Sequence, residues 1–379
     1  MPDCNPFLSA ARRLYAHLCR THLRGGGVLE GPDSGVRFNL RAWRFLKSAL
    51  NFLPWHDDYV FMQTAGYWIL ANWAIYQATG EEPHRAVAIE ASEGVLRLQT
   101  AEGYWRYPLP ERRRLIATVE GDWAAIGLLA SFTRTGRADF LDAAVRWYDF
   151  LVARIGFQPH RRGKAINYFD QPRGKIPNNS VEAAWFFLRL WKATGEDRYR
   201  EHVDGLLEFL ADVQLPSGEL PYIVESPFER GREHYLCFQY NAFQFMKLAW
   251  CARLDPQSRA LDLLPGLARF LQAGVTGRGA SAADCTHRLP EVDYYTAALA
   301  TALHEAAKAG FREAQALSER CYARVLSRQR QDGSFGYSQG DYGLLSDRRS
   351  YPRAQAMTLF HLLLPCAGNG FESGAAAGA

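Results

Sequence analysis

The chain has 379 residues, of which 48% are hydrophobic and 22% charged, and its formal net charge is +4. This composition is typical of a globular protein and excludes a chain that is mainly disordered or collagen-like. A charge of +4 over this length is too small to indicate a nucleic-acid-binding protein. The 10 Trp, 18 Tyr and 22 Phe require a large interior or an aromatic-lined cavity.

The predicted elements begin with a helix at about residues 6–22, which we expect to cap the rest of the fold. Two kinds of helix then alternate along the chain. One kind is amphipathic, as in 196–214, where Tyr199, Val203 and Leu207 fall on one face. The other kind is apolar nearly all round, which predicts burial on every side. Its six members lie at 57–77, 120–136, 181–195, 237–254, 292–310 and 351–364.

A repeat of about 57 residues organises these helices. Gly80, Gly136 and Gly195 each end an apolar helix, at intervals of 56 and 59 residues, and glycine in this position commonly terminates helices. Three segments share the pattern Gln-x3-Gly-x-apolar at intervals of 115 residues, twice the repeat; they begin at Gln99, Gln214 and Gln329.

Six units of two helices predict an all-α (α/α)6 toroid with an extra N-terminal helix. Six inner helices would run parallel around a central axis, with six antiparallel outer helices around them; an open solenoid is the alternative. We assign residues 1–37 to the capping helix and its loop, 38–368 to the toroid, and 369–379 to a disordered tail.

The longest predicted connections lie where an outer helix leads into an inner one, at about 102–116, 156–178, 216–234, 276–292 and 332–351. Long loops in compact domains are usually functional, and these would surround the N-termini of the inner helices, whose dipoles favour anions. The first two carry nine basic against three acidic residues. This imbalance predicts an anionic ligand at one mouth of the ring.

Polar side chains interrupt the first turns of all six apolar helices, which predicts a common pocket floor. As catalytic candidates for acid–base chemistry we name Asp122, Asp293, Glu120, Glu182, His234 and Tyr295. As substrate-binding candidates we name Asp58, Gln63, Trp105, Trp123, Asn179, Tyr235, Gln239, Asn241, Tyr294, Arg349 and Arg353. Helix capping is the structural alternative for Asp57, Asn179 and Asp293.

Helix ends with the sequence ATGE, each followed by an outer helix and then by Q-x3-G, resemble those of the six-hairpin glycosidase-type toroids. The resemblance covers about residues 38–368. That superfamily includes unsaturated uronyl hydrolases, sugar 2-epimerases, and toroid domains of polysaccharide lyases and glucuronyl C5-epimerases. The Q-x3-G-x-W pattern also resembles the repeats of squalene-cyclase and prenyltransferase toroids. The D-x-D-D acid motif of those cyclases is missing here, and Asp57-Asp58 is only a fragment of a diphosphate motif.

We therefore expect a carbohydrate-active enzyme that acts on an acidic, uronate-type saccharide: an epimerase, a lyase or a glycoside hydrolase, in that order. A terpenoid cyclase or prenyltransferase that binds an isoprenoid diphosphate and a non-catalytic toroid scaffold are the alternatives. The partner would be a small-molecule or oligosaccharide substrate, with no nucleic acid involved.

The compartment and the cofactors are predicted from what the sequence lacks. Residues 1–20 show no signal-peptide pattern, and no stretch of about 18 apolar residues predicts a membrane span, so we expect a cytoplasmic protein. The seven cysteines form no Cys-x-x-Cys pair, and we expect reduced thiols, no metal and no organic cofactor.

Overall fold

The inner ring consists of six helices that are buried along most of their length. The computed structural model describes residues 5–33, 58–287, 291–341, 345–347 and 349–367. Within these ranges the inner helices are α2 (Met62–Thr79), α4 (Thr118–Thr135), α6 (Pro177–Thr194), α8 (Cys237–Leu254), α10 (Asp293–Lys308) and α12 (Pro352–Leu363). Each contacts the next, and α12 contacts α2, which closes the ring.

The outer ring surrounds these helices with amphipathic partners. Its members in the described ranges are α1 (Asn5–Thr21), α3 (Glu82–Arg97), α5 (Ala138–Phe150), α7 (Val203–Val213), α9 (Ala260–Ala273) and α11 (Ala314–Leu326). The turns from inner to outer helices are short: Gly80, Gly136 and Gly195 each adopt a left-handed conformation, with φ of 72°, 70° and 75°, directly after an inner helix. The predicted (α/α)6 toroid is confirmed.

The N-terminal helix α1 has a different role from the predicted cap. It packs against α12, the ring of Tyr15 stacks on that of Trp68 in α2 at 4.9 Å, and Phe7 meets Tyr322 of α11 edge-on. The helix thus occupies the place of the sixth outer helix. The proposed boundary at residues 37 and 38 and the predicted tail lie outside the described residues.

In the part of the chain that the structure describes, five short strands occur in the connections between outer and inner helices. β1 (Phe157–His160) pairs with β2 (Gly163–Ile166) in an antiparallel hairpin. β3 (Glu291–Val292), β4 (Ser338–Asp341) and β5 (Leu345–Asp347) form a second antiparallel sheet in that order. Both sheets lie in connections that lead into inner helices.

The three glutamines of the repeat make the same pair of hydrogen bonds. The Nε2 atom of Gln99 donates to the carbonyls of Gly103 and Ala143, at 2.9 and 2.8 Å. Gln214 bonds in the same way to Gly218 and Leu263, and Gln329 to Gly333 and Ala10. Each glutamine closes its own turn and ties it to the next outer helix around the ring. The motif occurs after every second outer helix, α3, α7 and α11, so its spacing is twice the repeat.

Gly218 in the second of these turns has no room for a side chain. Its φ is +92°, and a Cβ atom placed there would lie 2.0 Å from the carbonyl oxygen of Gly266. We expect Gly218→Ala to lower the free energy of unfolding by more than the about 1–3 kcal/mol that the backbone strain alone costs. Chemical denaturation measures this, with Gly80→Ala as the matched control, because Gly80 has φ +72° and open space around it. Equal losses in the two variants would contradict the packing argument.

Aromatic side chains fill much of the core, both between the two rings and among the inner helices. Seven tryptophans are almost fully buried: Trp68, Trp73, Trp105, Trp123, Trp147, Trp185 and Trp250. They pack against one another, as in the contact of Trp185 with Trp250 at 4.8 Å between ring centroids. Much of the aromatic content therefore belongs to the core. None of the described helices has both the length and the apolar character needed to cross a bilayer.

Candidate active site

A cavity of about 450 Å³ opens at the end of the ring where the inner helices begin. All six inner helices contribute to its lining, through Gln63 and Tyr67, Val119 and Glu120, Asn178, Asn179 and Glu182, Gln239, Tyr240, Phe243 and Lys247, Tyr294, and Arg353 and Met357. The long connections supply the rest of the wall: Tyr107, Arg112, Leu115, Tyr168, Phe169, Arg173, Ile176, Tyr222, Ile223 and Glu229. The volume falls in the range of small-molecule sites, about 300–1,000 Å³.

Six tyrosines give the cavity wall its character: Tyr67, Tyr107, Tyr168, Tyr222, Tyr240 and Tyr294. Burial raises the pKa of Tyr107 and of Tyr294 to about 12, and it raises the pKa of the other four as well. At neutral pH these phenols therefore keep their protons. They can donate hydrogen bonds or protons, but they cannot serve as bases without help.

Glu120 is the carboxylate whose environment best suits proton transfer. It lies in the first turn of α4, and its Oε2 atom accepts the backbone N–H groups of Met62 and Gln63, at 2.5 and 3.3 Å, at the start of α2. Burial raises the pKa of Glu120 to about 7, although the nearby Arg353 and the two N–H groups favour its ionised form. Such a carboxyl group can both take and give a proton near neutral pH.

Arg353 is held as a fixed cation beside Glu120. Its Nε and Nη2 atoms form a fork on the carboxylate of Asp33, at 2.8 and 2.9 Å, and Nη1 donates to Oε1 of Gln63 at 3.3 Å. The guanidinium also lies over the ring of Phe61, 4.8 Å from its centroid. The two-pronged contact orients the guanidinium, so its charge faces the cavity in a defined position.

A buried ion pair joins two other inner helices at the cavity wall. Lys247 of α8 donates to Glu182 of α6, and the exposed fractions of their side chains are 4% and 1%. Asp122 lies near this pair, and burial together with the charge of Glu182 raises its pKa well above the ordinary value. Burial and the neighbouring Glu182 thus disfavour the ionised form of Asp122. Burial also raises the pKa of Glu182, although the Lys247 ammonium favours its ionised form.

The mouth of the cavity carries further basic side chains. Arg112 is half-buried and Arg173 is exposed in the connections before α4 and α6. A second recess, of about 410 Å³, adjoins the first at Leu115 and is lined by Tyr104, Arg106, Arg113, Arg114 and Ile116. Five of the nine basic side chains in these two connections thus line the cavity or the recess beside it, whereas Arg161, Arg162, Lys164 and Lys175 line neither.

Seven of the sequence-predicted candidates line this cavity: Glu120, Glu182, Gln63, Asn179, Gln239, Tyr294 and Arg353. The capping alternative for Asn179 is wrong, because α6 begins at Pro177 and no side chain caps it. No side chain caps α10 either, so Asp293 is not its cap. Asp57 lies outside the described residues.

Four acid–base candidates lie outside the lining; His234 is described with the next group, and the other three make contacts elsewhere. Asp122 points toward α5, where its Oδ1 atom accepts the indole N–H of Trp147 at 2.9 Å. Asp293 pairs with Arg328 at 3.3 Å. Tyr295 is buried beside Tyr294 and Tyr337.

Seven further candidates also lie outside the lining. The indole of Trp105 donates to the Val95 carbonyl in the core, Trp123 stacks on Tyr67, and Asn241 holds the backbone of Leu220. The ring of Tyr235 packs at a tilt against that of Tyr222, with 4.6 Å between centroids, and His234 pairs with Glu219 at 2.9 Å. Asp58 is exposed and Arg349 half-buried, both away from the cavity.

The sequence analysis missed several lining residues. Lys247 lies three turns into α8, whereas the sequence candidates come from the first turns of the inner helices. A lysine within a helix that is apolar nearly all round is itself a signal, because a buried charge needs a partner. The tyrosines of the loops, such as Tyr168 and Tyr222, carry no comparable signal.

The comparisons with known proteins support the fold. No protein-family model matches the chain, and no curated protein matches it. Cellobiose 2-epimerase from Bacillus thermoamylovorans has a similar structure, with a TM-score of 0.75 at 12% identity over 95% of this chain and 100% of that one. A possible member of the GH105 family from Salmonella enterica has a TM-score of 0.71 at 12% identity, over 97% and 95% of the two chains.

An alpha-1,6-mannanase of Salegentibacter, solved as an inactive variant with alpha-1,6-mannotriose, is also similar. Its TM-score is 0.68 at 14% identity, over 95% of this chain and 99% of that one. These similarities, all below 25% identity, show the fold that the chain shares with the three structures, an (α/α)6 toroid.

Proposed function

We propose that the chain is a carbohydrate-active enzyme that acts on a uronate-type saccharide by acid–base chemistry in the central cavity. The observation that carries the proposal is Glu120, a buried carboxyl group with a pKa of about 7 that lies beside the fixed cation Arg353 in a cavity lined by tyrosines. This combination provides a proton acceptor, proton donors and a counter-charge for an acidic sugar in one place.

The same groups suit removal of the C5 proton of a uronate. Glu120 in its ionised form takes the proton, and Arg353 or the mouth arginines Arg112 and Arg173 neutralise the carboxylate whose charge the lost proton increases. A tyrosine such as Tyr294 then returns a proton to C5 from the opposite face, or protonates the leaving oxygen at C4. The first outcome is epimerisation and the second elimination. Glycoside hydrolysis, with Glu120 as the general acid, is the third reaction in this order.

The two alternative functions receive less support from the cavity. An isoprenoid diphosphate enzyme requires a deep apolar pocket floored by Asp57 and Asp58, but Asp58 is exposed away from a lining rich in hydroxyl and charged groups. A scaffold needs no open cavity with carboxylates in its wall, whereas Glu120 and Glu182 both line this one. We further propose an anionic oligosaccharide as the partner, no nucleic acid, and a cytoplasmic location.

The test is a panel of uronate-containing oligosaccharides incubated with the protein in D2O. Deuterium at C5 of an otherwise intact sugar indicates epimerisation, ultraviolet absorbance of an unsaturated product indicates elimination, and new reducing ends without unsaturation indicate hydrolysis. We expect one of these signals on acidic saccharides and none on their neutral, carboxyl-reduced counterparts, because the basic mouth binds the carboxylates.

Variants of the arginines at the cavity mouth test whether the acidic substrate depends on their charge. Arg112→Gln and Arg173→Gln should raise KM for the acidic substrate, whereas Arg269→Gln, an exposed arginine on outer helix α9, should leave it unchanged. Equal turnover of acidic and carboxyl-reduced substrates would contradict the uronate specificity, and no turnover of any member of the panel would count against the proposed activity.

A further inference from the structure

A group of metal-ligand side chains lies beside the cavity wall, outside the candidate active site. Glu219, His234, Cys237 and Cys285 each bring one donor atom to a common point, and the four donors lie within 4.8 Å of one another. It is the one such group of three or more Cys, His, Asp and Glu side chains in the described ranges. We propose that these residues form a tetrahedral zinc site, which is independent of the proposed enzymatic function.

The donor set matches zinc. Two thiolates, an imidazole and a carboxylate are the ligands that this borderline-soft ion prefers in proteins, at about 2.0–2.3 Å from the metal. Donors at tetrahedral corners of such a site are about 3.3–3.8 Å apart. His234 Nδ1 already lies 2.9 Å from Oε2 of Glu219, and Cys285 Sγ lies 3.5 Å from the same oxygen. Only small side-chain movements would admit the ion.

The surroundings of Glu219 point to a missing cation. Its side chain is 1% exposed, and its Oε1 atom is buried with no hydrogen-bond partner among the described residues. A buried carboxylate normally has a cation or several donors beside it. The half-exposed His234, at 2.9 Å, is charged only when it is protonated, whereas a zinc ion would bind the carboxylate oxygen directly.

The backbone that joins His234 to Cys237, just before α8, is strained. Leu236 lies between His234 and Cys237 and has φ +45°, a left-handed conformation that is strained for a branched side chain. Outside the metal site, Oε2 of Glu233 lies 3.9 Å from Nε2 of His234. A carboxylate hydrogen-bonded to the far nitrogen commonly supports a zinc-binding histidine; at 3.9 Å, exposed Glu233 is near that position but makes no hydrogen bond.

Four protein ligands would complete the coordination, so we assign the site a structural role. Zinc there would join the connection that holds Glu219 to the start of α8 and to the connection that holds Cys285. The same first connection carries Tyr222 and Ile223 of the cavity wall. The ion would therefore stiffen one side of the cavity without contacting its contents.

Metal content measured by mass spectrometry on the full chain, produced in zinc-containing medium and kept reduced, tests the site. We expect one zinc per chain in the wild type and in Cys19→Ser, whose half-buried thiol lies in α1 away from the cluster. Cys285→Ser and His234→Gln change exposed ligands, and we expect each to weaken zinc binding at least about 100-fold. Cobalt added to the metal-free protein should give the ligand-field absorption of tetrahedral thiolate coordination.

Three results would overturn the proposal. The first is a reduced wild-type chain that neither retains zinc nor takes up zinc or cobalt on titration. The second is a freshly isolated protein in which Cys237 and Cys285 form a disulfide bond. The third is full zinc content in both ligand variants, which would place the metal elsewhere.

Discussion

Glu120→Gln should reduce turnover of the acidic saccharide by about 10²–10⁴-fold, the usual contribution of a positioned general acid or base. The amide keeps a carbonyl oxygen that can still accept the N–H groups of Met62 and Gln63 at the start of α2, so the fold should persist. Steady-state kinetics on the substrate found in the panel measures the loss. Glu90→Gln, an exposed glutamate on outer helix α3, is the matched control and should retain full activity.

The pH profile adds a second readout for Glu120. As a base it works in its ionised form, so kcat/KM of the wild type should rise with pH through about 7. Residual activity of Glu120→Gln should lack this rise. A fall in kcat/KM through the same range would instead assign Glu120 as a general acid and favour hydrolysis. An unchanged rate in Glu120→Gln would remove it from the mechanism.

The pH dependence of stability tests the raised pKa of Glu120 without any substrate. Its pKa in the folded protein, about 7, lies above the ordinary value of 4.5, so its contribution to stability is fully present below pH 4.5 and is lost as pH rises through about 7. The loss amounts to about 3 kcal/mol at most. Relative to the wild type, Glu120→Gln should therefore gain stability over this range in chemical denaturation, whereas Glu90→Gln should not.

Lys247→Met should destabilise the protein by about 3–5 kcal/mol at neutral pH, because it leaves Glu182 buried without its cation. Methionine fills the space of the lysine stem beside Trp123 and Phe243. The Nζ atom of Lys247 lies 5.4 and 5.9 Å from the ring centroids of these two residues. Chemical denaturation measures the loss. The loss should shrink as the pH falls and be smallest well below 4.5, since Glu182 is then protonated in both the folded and the unfolded chain.

The double variant separates the ion pair from simple packing. Glu182→Gln with Lys247→Met removes both charges, and we expect it to be more stable than Lys247→Met alone. A loss of less than about 1 kcal/mol in Lys247→Met would show that water reaches the pair, as it does for ion pairs at protein surfaces. The exposed pair of Arg198 and Asp149 is the control, because Arg198→Met should cost far less.

The toroid could be predicted because its signals are local. A helix with no polar face, a glycine with positive φ at its end and a Gln-x3-Gly turn each depend on a few neighbouring residues. The repeat then counts the units. The place of α1 could not be read this way, because its partner α12 lies at the other end of the chain and only ring closure brings the two together.

The candidate site could likewise be predicted from the sequence only in part. The first turns of the inner helices and the basic loops were predicted to meet at one mouth, because parallel helices in a ring point the same ends in the same direction. Which side chains of a turn face the cavity depends on the rotation of each helix. Glu120 and Asp122 are two residues apart, about 200° around the helix axis, so one reaches the cavity while the other meets Trp147.

Contacts between distant segments could not be predicted from the sequence. Arg353 is oriented by Asp33, 320 residues away in the chain, and Cys285 meets Glu219 across 66 residues. No spacing rule links such pairs, because the loops that carry them are positioned by the ring as a whole. Helix patterning thus specified the architecture and the end that holds the cavity, whereas packing between remote segments decided which charges are paired, which are buried and which face the cavity.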